Sequence, residues 1–315
     1  MRYDSEIKLF SGTSNRSFSE KISEHLGVKL GSNDMIAFPE GNLYVKINEK
    51  VRGTDVYIIQ SIGLNPNNEF VELLFWLDAF KRSGVNSVTA IVPYFSYAKA
   101  DKKDEPRVSI RARVCADCME TAGVDRIVTM DLHSPQIQGF FRKPVDHLYA
   151  ANIFCNRIKE LGADNAVIVS PDEGFAKNAR YYSNRLTLPL AIGNKQRLYH
   201  DNNAEILSIM GTVRDKTAII VDDFSISGGT LDQTAKRLLQ DGAKEVYAFI
   251  SHAALSADGV KTIAASPIKK LFTTDTIFNE NIIGCEKIEL ISVSKMFAEA
   301  IRIIHERDSL GDLFQ

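Results

Sequence analysis

The hydrophobic positions of the chain fall into short runs that alternate with longer helical patterns. The short runs are rich in Val and Ile and apolar at consecutive positions, and they span residues 56–59, 87–92, 126–130, 166–169, 217–221 and 246–250. Runs that are apolar on both faces are typical of buried parallel strands. The pattern therefore predicts a sheet built mainly from parallel strands.

Helical patterns occupy residues 69–83, 110–122, 153–161, 176–186 and 231–241. The clearest amphipathic pattern places Leu231, Ala235, Leu238 and Leu239 on one helical face. Residues 69–83 are apolar almost all round, which predicts a helix that is buried on several sides or in an interface. The alternation of strand and helix predicts an α/β fold with a parallel sheet.

The chain also shows signs of an internal repeat. His133 follows Gly123 by ten residues, and His252 follows Gly242 by ten. Residues 89–92 and 217–221 are similar apolar runs, and they are followed by Pro93-Tyr94-Phe95-Ser96 and Asp222-Asp223-Phe224-Ser225. With 315 residues, two similar domains of about 150 residues fit this pattern. A coincidence of common strand-and-turn patterns is the alternative. We predict domains over 1–147 and 148–315, with the boundary near residues 144–149.

Charge and composition exclude several classes of protein. The 38 basic and 40 acidic residues give a formal charge of −2, and 44% of the residues are hydrophobic. Such a chain is neither disordered nor a collagen or disulfide scaffold. It also lacks the overall positive charge that would hold a nucleic acid or an anionic membrane. A polyanionic ligand must therefore be bound by a local site.

The expected location is cytoplasmic. No apolar run approaches the ~20 residues that a membrane-spanning helix needs. No signal-peptide pattern is visible at the first residues, and reduced thiols are expected for the four cysteines. Cys115 and Cys118 have the spacing of a zinc or redox half-site. A helix places residues i and i+3 on one face in any case, so a structural role is the favoured interpretation.

The strongest candidate site is the segment 219–230. An apolar strand ends in two acids, Asp222 and Asp223, and a turn of small residues leads into a helix. The turn consists of Ser227, Gly228, Gly229 and Thr230. Ligands of open parallel sheets bind at the carboxyl ends of the strands. Unhindered backbone N–H groups and a helix N-terminus suit a phosphate, and the acids can accept hydrogen bonds from sugar hydroxyls or hold a hydrated cation. The segment predicts a sugar-phosphate site; a capped helix after a glycine turn is the alternative.

Two further strand ends carry polar groups. His133 follows the strand 126–130, and Asp172 and Glu173 follow the strand 166–169. These acids could complete a metal site with His133, although magnesium prefers oxygen ligands.

Two short basic segments could contact phosphates. Lys99, Ala100 and Asp101 follow an aromatic stretch at residues 94–97, and aromatic rings beside cations suit a stacked base next to phosphates. A solvated run of charges is the alternative. Lys195 and Arg197 are predicted to lie on a long mobile loop that closes over a phosphoryl-transfer site.

These segments together resemble the ribose-phosphate pyrophosphokinase (phosphoribosyl-pyrophosphate synthetase) family, nearly end to end. The matching segments are residues 9–13, 51–56, 93–95, 130–133, 136–141, 170–172, 221–223, 273–276 and 313–314. The segment from His133 to Phe141 is specific to this family, whereas the acidic pair is shared with phosphoribosyltransferases at large.

The resemblance implies a fold and an activity. The fold is a tandem of two type I phosphoribosyltransferase-like α/β domains, the first on the ATP side and the second on the ribose 5-phosphate side, with the C-terminal helix packing back on the first. The activity is Mg²⁺-dependent transfer of the diphosphoryl group of ATP to the 1-hydroxyl of ribose 5-phosphate. The family further implies ADP or phosphate effectors and a homohexamer built from dimers, with neither nucleic acid nor membrane as a partner.

The resemblance also assigns roles to residues. Lys195 and Arg197 neutralise charge on the group in transfer, and His133 and Asp172 are linked to magnesium. The ATP-binding positions are Phe38, which stacks on adenine, Glu40, Asn42, Lys99, Ala100, Asp101 and His133. The ribose 5-phosphate positions are Asp222, Asp223, Ile226, Ser227, Gly228, Gly229 and Thr230.

The sequence departs from the family pattern at several of these positions. The family has an acid where this chain has Ile226, and an Arg-Gln-Asp where it has Lys99, Ala100 and Asp101. Two alternatives to the synthetase therefore stay open. One is the same chemistry on a different 5-phosphorylated ribose, and the other is a non-catalytic regulatory paralogue.

Overall fold

The computed structural model describes residues 5–162, 165–196 and 205–314. The chain divides into two compact units. Unit 1 comprises Met1–Tyr149, Thr276–Phe278 and Ser292–Gln315, and unit 2 comprises Ala150–Asp275 and Asn279–Ile291. The predicted domain limits, 1–147 and 148–315, stay a prediction.

The strands of the described residues are β1 (Ile7–Ser11), β2 (Asn33–Ala37), β3 (Leu43–Ile47), β4 (Asp55–Ile59), β5 (Ser87–Val92), β6 (Arg126–Met130), β7 (Val145–Leu148), β8 (Ala166–Ser170), β9 (Leu190–Gln196), β10 (Glu205–Met210), β11 (Thr217–Ser225), β12 (Glu245–Ala253), β13 (Lys270–Thr274) and β14 (Ile288–Ile291). The α-helices are α1 (Arg16–Leu26), α2 (Pro66–Arg82), α3 (Arg111–Ala122), α4 (Ala151–Glu160), α5 (Ala176–Leu186), α6 (Gly229–Gln240), α7 (Ala257–Ala265) and α8 (Ser294–Glu306).

Unit 1 is built on a five-stranded parallel sheet in the order β1-β4-β5-β6-β7, and β2 and β3 form a separate antiparallel hairpin. Every residue of β4 is buried, as expected for a central strand covered on both faces. The core is aromatic: the rings of Phe10 and Phe80 lie 4.9 Å apart. Helix α8 packs on α1, where the ring of Phe297 meets Phe18 edge-on at 5.5 Å.

Unit 2 is built on a seven-stranded sheet in the order β10-β9-β8-β11-β12-β13-β14. The pair β9–β10 is antiparallel and the other pairs are parallel. The rings of Phe249 and Phe272 stack at 4.5 Å, and Phe154 of α4 packs against Phe249 at 5.4 Å. The prediction of an α/β fold with parallel sheets flanked by helices is confirmed.

The two units share one order of elements and the same pairing of five parallel strands, although β2 and β3 form a separate hairpin whereas β9 and β10 extend the sheet of unit 2. In each, a first strand and helix are followed by two strands and then by four strands of the parallel sheet, which run β4-β5-β6-β7 in unit 1 and β11-β12-β13-β14 in unit 2. The topology therefore matches β4 with β11 and β5 with β12. The sequence comparison paired residues 89–92 with 217–221, which is wrong by one strand–helix step. Successive strand–turn–helix steps have similar patterns, so local similarity does not determine which step corresponds to which.

Several sequence predictions differ from the structure in extent. The strand predicted to end at residue 221 continues to Ser225, because β12 still pairs with it there. Lys195 lies in β9, which pairs with β10, and not on a long loop. Helix α2 buries Leu73 and Trp76 but leaves Val71 and Phe75 exposed, so the prediction that it is buried on several sides or in an interface stays a prediction. The pattern did not indicate β1, β2, β3, β7, β9, β10, β13, β14, α1, α7 or α8.

No helix in the described part of the chain is long and apolar enough to cross a membrane. Cys115 is buried, and burial raises the pKa of its thiol to about 12. A thiol with that pKa is a poor nucleophile and a poor metal ligand at neutral pH. The structural interpretation of the Cys115–Cys118 pair is therefore supported.

Candidate active site

The acidic pair lies where β11 loses one of its two neighbours. Strand β11 pairs with β8 only as far as Ile220, but it pairs with β12 through Ser225. Asp222 and Asp223 thus lie in β11 beyond the last residue that pairs with β8, at the carboxyl edge of the sheet where ligands of parallel sheets bind. The N–H of Asp223 donates to Asp222 Oδ1 at 3.0 Å, and the N–H of Phe224 donates to Asp223 Oδ1 at 2.9 Å. The backbone therefore orients both carboxyl groups.

Three carboxyl groups converge at this edge of unit 2. Burial raises the pKa of Asp222 well above its ordinary value, and the neighbouring charges of Asp223 and Asp172 raise it further. Like charges in a poorly solvated site are costly unless hydrogen-bond donors or a cation compensate them. This arrangement suits a ligand that offers hydroxyl groups or arrives with a divalent cation.

Asp172 is held by the loop that follows β8. Its Oδ1 accepts the N–H groups of Gly174 at 2.9 Å and Phe175 at 3.3 Å, and Ser170 Oγ donates to its carbonyl at 2.6 Å. Strand β9 comes very close to this loop: a Cβ on Gly193 would lie 2.4 Å from the carbonyl oxygen of Pro171. Glycine is therefore required at 193, and the position of the Asp172 loop is fixed from that side.

The small-residue turn leads directly into α6. Gly228 adopts φ 71° and is the N-cap residue of the helix, so no side chain covers the helix N-terminus from that position. The N–H of Gly228 lies 3.2 Å from Ser225 Oγ, and that of Gly229 lies 3.3 Å from Ser227 Oγ. A glycine-containing turn before a helix N-terminus can hold an anion.

Helix α7 supports this turn from behind. The N–H of Ser256 donates to the carbonyl of Ile226 at 3.0 Å. A Cβ on Gly259 would lie only 2.4 Å from that same oxygen. Gly259 was not predicted as a functional position. The side chain of Ile226 points away from the core, with 48% of its surface exposed.

The predicted nucleotide positions lie in unit 1. Phe38, Glu40 and Asn42 are exposed on the loop between β2 and β3. This loop is tight, because the N–H of Phe38 donates to the carbonyl of Asn42 and the N–H of Gly41 donates back to Phe38, each at 2.8 Å. An exposed aromatic ring on a well-ordered turn is suited to stacking on a flat ligand.

The predicted basic segment lines an open cavity of about 350 Å³ in unit 1. Lys99 and Ala100 lie on its wall together with Lys102 and Arg111. The Lys99 Nζ lies 5.9 Å from the centre of the Tyr94 ring, within range of a cation–π interaction. The structure thus places cations beside an aromatic residue, and Asp101 follows in the same segment.

His133 is exposed, just after β6. The turn before it is held by β7: the N–H of Asp131 donates to the carbonyl of Leu148 at 3.0 Å, and the N–H of Leu132 donates to His147 Nε2 at 2.8 Å. His147 is buried. It was not among the predicted site residues, because β7 has the mixed sequence Val-Asp-His-Leu and no apolar run that would have indicated a strand.

The structure brings together some predicted residues and separates others by unit. Asp172, Asp222, Asp223 and the turn of Ile226, Ser227, Gly228, Gly229 and Thr230 lie in unit 2, whereas His133 and the predicted ATP-binding positions lie in unit 1. The predicted metal pair, His133 and Asp172, therefore has one member in each unit and stays a prediction. Arg197 lies outside the described residues, and Lys195 is described only by its backbone position in β9.

Within residues 5–162, 165–196 and 205–314, no three His, Cys, Asp or Glu side chains are arranged to hold a metal ion by themselves. Magnesium commonly binds through one or two carboxylates and the phosphates of a substrate. The carboxyl groups of unit 2 fit a cation of that kind.

Comparison with known proteins identifies the family. Residues 7–123 match the model of the N-terminal domain of ribose phosphate pyrophosphokinase, and residues 200–315 match that of the phosphoribosyl synthetase-associated domain. The ribose-phosphate pyrophosphokinase of Caldanaerobacter subterraneus subsp. tengcongensis is 44% identical over 99% of both chains. That of Helicobacter pylori is 40% identical over 98% of this chain and 96% of its own.

A solved structure agrees with these matches. The crystal structure of phosphoribosylpyrophosphate synthetase from Mycobacterium smegmatis superposes with a TM-score of 0.90 and 34% identity, covering 96% of this chain and 99% of that one. The sequence resemblance and the prediction of two phosphoribosyltransferase-like domains are confirmed. This chain is an enzyme of the ribose-phosphate pyrophosphokinase family.

Proposed function

We propose that the chain transfers the diphosphoryl group of ATP to the 1-hydroxyl of ribose 5-phosphate, in a magnesium-dependent reaction that yields 5-phosphoribosyl 1-diphosphate and AMP. The proposal is supported by the names of the relatives. The observation that carries it is the placement of Asp172, Asp222 and Asp223 at the ends of two paired strands, β8 and β11, next to a glycine turn and a helix N-terminus.

The sugar phosphate binds in unit 2. Asp222 and Asp223 accept hydrogen bonds from the ribose hydroxyls, because ionised carboxylates are strong acceptors. The 5-phosphate lies against the turn of Ile226, Ser227, Gly228, Gly229 and Thr230, where N–H groups and the helix dipole favour an anion. Hydrogen bonds from the hydroxyls also stabilise the ionised form of Asp222, whose pKa is raised by burial and by the neighbouring charges of Asp223 and Asp172.

The nucleotide binds through residues of unit 1. Phe38 stacks on the base, Glu40 and Asn42 supply polar contacts on the same loop, and Lys99, Ala100, Asp101 and His133 face the phosphates. The assignment is supported by the exposed positions on a tight turn and by the three cations that line the cavity beside Asp104 and Glu105. The hexamer and the ADP or phosphate effectors that the family implies stay predictions.

Asp172 and His133 would hold the magnesium ion, which neutralises charge on the transferring group when bound. Asp172 has an oxygen donor oriented by two backbone N–H groups, and this fits a hard cation. Lys195 and Arg197 stabilise the charge on the transferring group.

The reaction needs no covalent intermediate with the protein. The ribose 1-hydroxyl oxygen attacks the β-phosphorus of ATP, the bond from that phosphorus to the α-phosphate oxygen breaks, AMP leaves, and the hydroxyl proton passes to solvent. The contribution of the protein is to position the two substrates and to stabilise the charge that develops on the transferred group.

The test is to mix the protein with ATP, magnesium and ribose 5-phosphate and to measure AMP and the sugar 1-diphosphate. We expect equal amounts of both, and at least a tenfold lower rate for Lys195→Ala, since a positioned cation contributes roughly 10³-fold or more in phosphoryl transfer. Folded protein that releases no AMP would exclude the proposal.

A second candidate keeps the chemistry and changes the acceptor. It is favoured by the exposed apolar side chain of Ile226 at the phosphate turn, where the family has an acid. A larger 5-phosphorylated ribose could pack an apolar group there. Rates measured side by side with both acceptors decide the question, and a clear preference for ribose 5-phosphate excludes this candidate.

A further inference from the structure

The strand pairings align the two units residue by residue. In unit 1, the first residue of β6 pairs with Thr89, which pairs in turn with Tyr57. In unit 2, the first residue of β13 pairs with Tyr247, which pairs in turn with Ile219. Tyr57 therefore corresponds to Ile219. Gln60 and Ser61 follow β4, three and four residues after Tyr57, and they correspond to Asp222 and Asp223, three and four residues after Ile219. Unit 1 therefore has neutral side chains where unit 2 has its acidic pair.

The alignment extends to the first strand of each sheet. Leu9 pairs with Tyr57 in unit 1, and Ile168 pairs with Ile219 in unit 2. Four residues beyond these, Thr13 corresponds to Asp172. All three acids of the unit 2 crevice thus have an uncharged, hydrogen-bonding counterpart in unit 1.

In the helix that follows each crevice, the acidic residue is in unit 1 and the uncharged counterpart is in unit 2. Helix α2 begins at Pro66 and α6 begins at Gly229. At the seventh position of the helix, α2 has Glu72 and α6 has Ala235. Unit 1 therefore places a carboxyl group where unit 2 has only a methyl group.

The Glu72 carboxyl group fills the unit 1 crevice. Only 2% of Glu72 is exposed. It accepts hydrogen bonds from the Thr13 N–H at 3.0 Å, Gln60 Nε2 at 2.9 Å and Trp76 Nε1 at 3.1 Å, and from the Thr13 hydroxyl. The counterparts of two of the unit 2 acids thus bind a carboxyl group of their own chain.

A second carboxyl group covers the turn before α2. Glu69, at the fourth helical position, accepts the N–H of Gly63 and, at 3.2 Å, the N–H of Asn65. The corresponding acid of α6 is Asp232, which instead binds Lys236 Nζ on the next helical turn at 2.7 Å. The turn before α6 is therefore not covered by that acid.

We propose that unit 1 contains a closed copy of the sugar-phosphate crevice, in which Glu72 takes the place of the sugar and Glu69 takes the place of the phosphate. Each chain then binds one sugar phosphate, in unit 2, and unit 1 is left to the nucleotide. The inference rests on the proposed function, which already assigns the sugar phosphate to unit 2, and adds the physical reason why the unit 1 crevice does not accept it.

The first test counts binding sites. Titration calorimetry with ribose 5-phosphate is expected to give one site per chain, and Asp222→Asn combined with Asp223→Asn is expected to remove it. Two sites per chain, or one that persists in the double variant, would show that unit 1 is open and would overturn the inference. No binding at all to the unaltered protein would instead refute the proposed function.

The second test asks whether Glu69 stands in for a phosphate, and it does not depend on activity. Glu69→Ala is expected to lower the thermal midpoint by about 4 °C, because two backbone N–H groups lose their acceptor. Inorganic phosphate should then raise the thermal midpoint of Glu69→Ala by more than it raises the midpoint of the unaltered protein. Chloride at equal ionic strength is the salt control.

The matched controls are Glu69→Gln, which keeps an acceptor, and Asp232→Ala at the corresponding position of α6. Neither is expected to gain extra stabilisation from phosphate. An equal effect of phosphate on Glu69→Ala and the unaltered protein would contradict the inference, as would an extra effect on Asp232→Ala of the same size.

Discussion

The backbone N–H of Leu132 donates a hydrogen bond to Nε2 of His147, at 2.8 Å. The imidazole is buried, and its ring lies 4.3 Å from that of Tyr149. This bond joins the end of β7 to the turn that follows β6, and the next residue of that turn is His133. His147 thus fixes the backbone from which a proposed substrate ligand projects.

Replacement of His147 is therefore expected to lower the reaction rate, although His147 is not among the residues proposed to contact the substrates. In His147→Leu the Leu132 N–H loses its acceptor inside the protein, which costs about 1–3 kcal/mol. A shift of the turn should lower kcat by about tenfold to a hundredfold. His147→Gln keeps an acceptor of similar reach and should recover most of the activity. Steady-state kinetics on both variants check this, and equal activities would contradict it.

The sequence predicted much of the sheets but little about how the side chains support one another. Residues 87–92 and 126–130 match β5 and β6, because buried strands leave a continuous apolar run. His147 was missed because its role depends on a hydrogen bond to Leu132, fifteen residues away, across a strand pair. Gly259 was missed because its constraint is a contact with Ile226 that only the folded chain creates.

Asp222 is expected to destabilise the ligand-free protein near neutral pH. Its raised pKa means that the folded state holds a proton that an unfolded Asp loses near pH 3.9. Its contribution to stability therefore falls as the pH rises through that value and continues to fall up to the folded pKa. Asp222→Asn removes this loss.

Urea unfolding between pH 4 and pH 8 tests the effect. The free energy of unfolding of Asp222→Asn should exceed that of the unaltered protein by an amount that grows with pH. Its activity should fall, because Asp222 is proposed to bind the ribose hydroxyls. An advantage that is constant or shrinks with pH would show that Asp222 is not held in a site that disfavours its charge.

Thr273→Val is expected to stabilise the protein. Thr273 is fully buried in β13, and among the described residues its hydroxyl has no hydrogen-bond partner. Val has nearly the same shape and leaves no unpaired polar group, so the free energy of unfolding should rise by about 1 kcal/mol. Thr129, its counterpart in β6, has the same unpaired hydroxyl and should respond alike. A loss of stability in both variants, measured by urea unfolding, would contradict the assignment.

Gly259→Ala is expected to weaken binding of ribose 5-phosphate. The added methyl group would press on the Ile226 carbonyl and displace the turn that holds the phosphate. Overpacking of this kind costs about 1–3 kcal/mol, and a cost of that size borne by the phosphate turn corresponds to a loss of affinity of about fivefold to 150-fold. Gly139→Ala is the control, because a Cβ there meets no atom within 4 Å. Titration calorimetry on both variants checks this, and unchanged affinity in Gly259→Ala would refute the supporting role of α7.

The central claim is that two phosphoryl groups move together from ATP to the sugar. The most direct measurement follows ATP and ribose 5-phosphate by phosphorus NMR in the presence of magnesium and the protein. We predict that the signals of AMP and of a sugar-bound diphosphate rise together in equal amounts. The appearance of ADP with a sugar monophosphate ester, or the absence of any product from folded protein, would contradict the account.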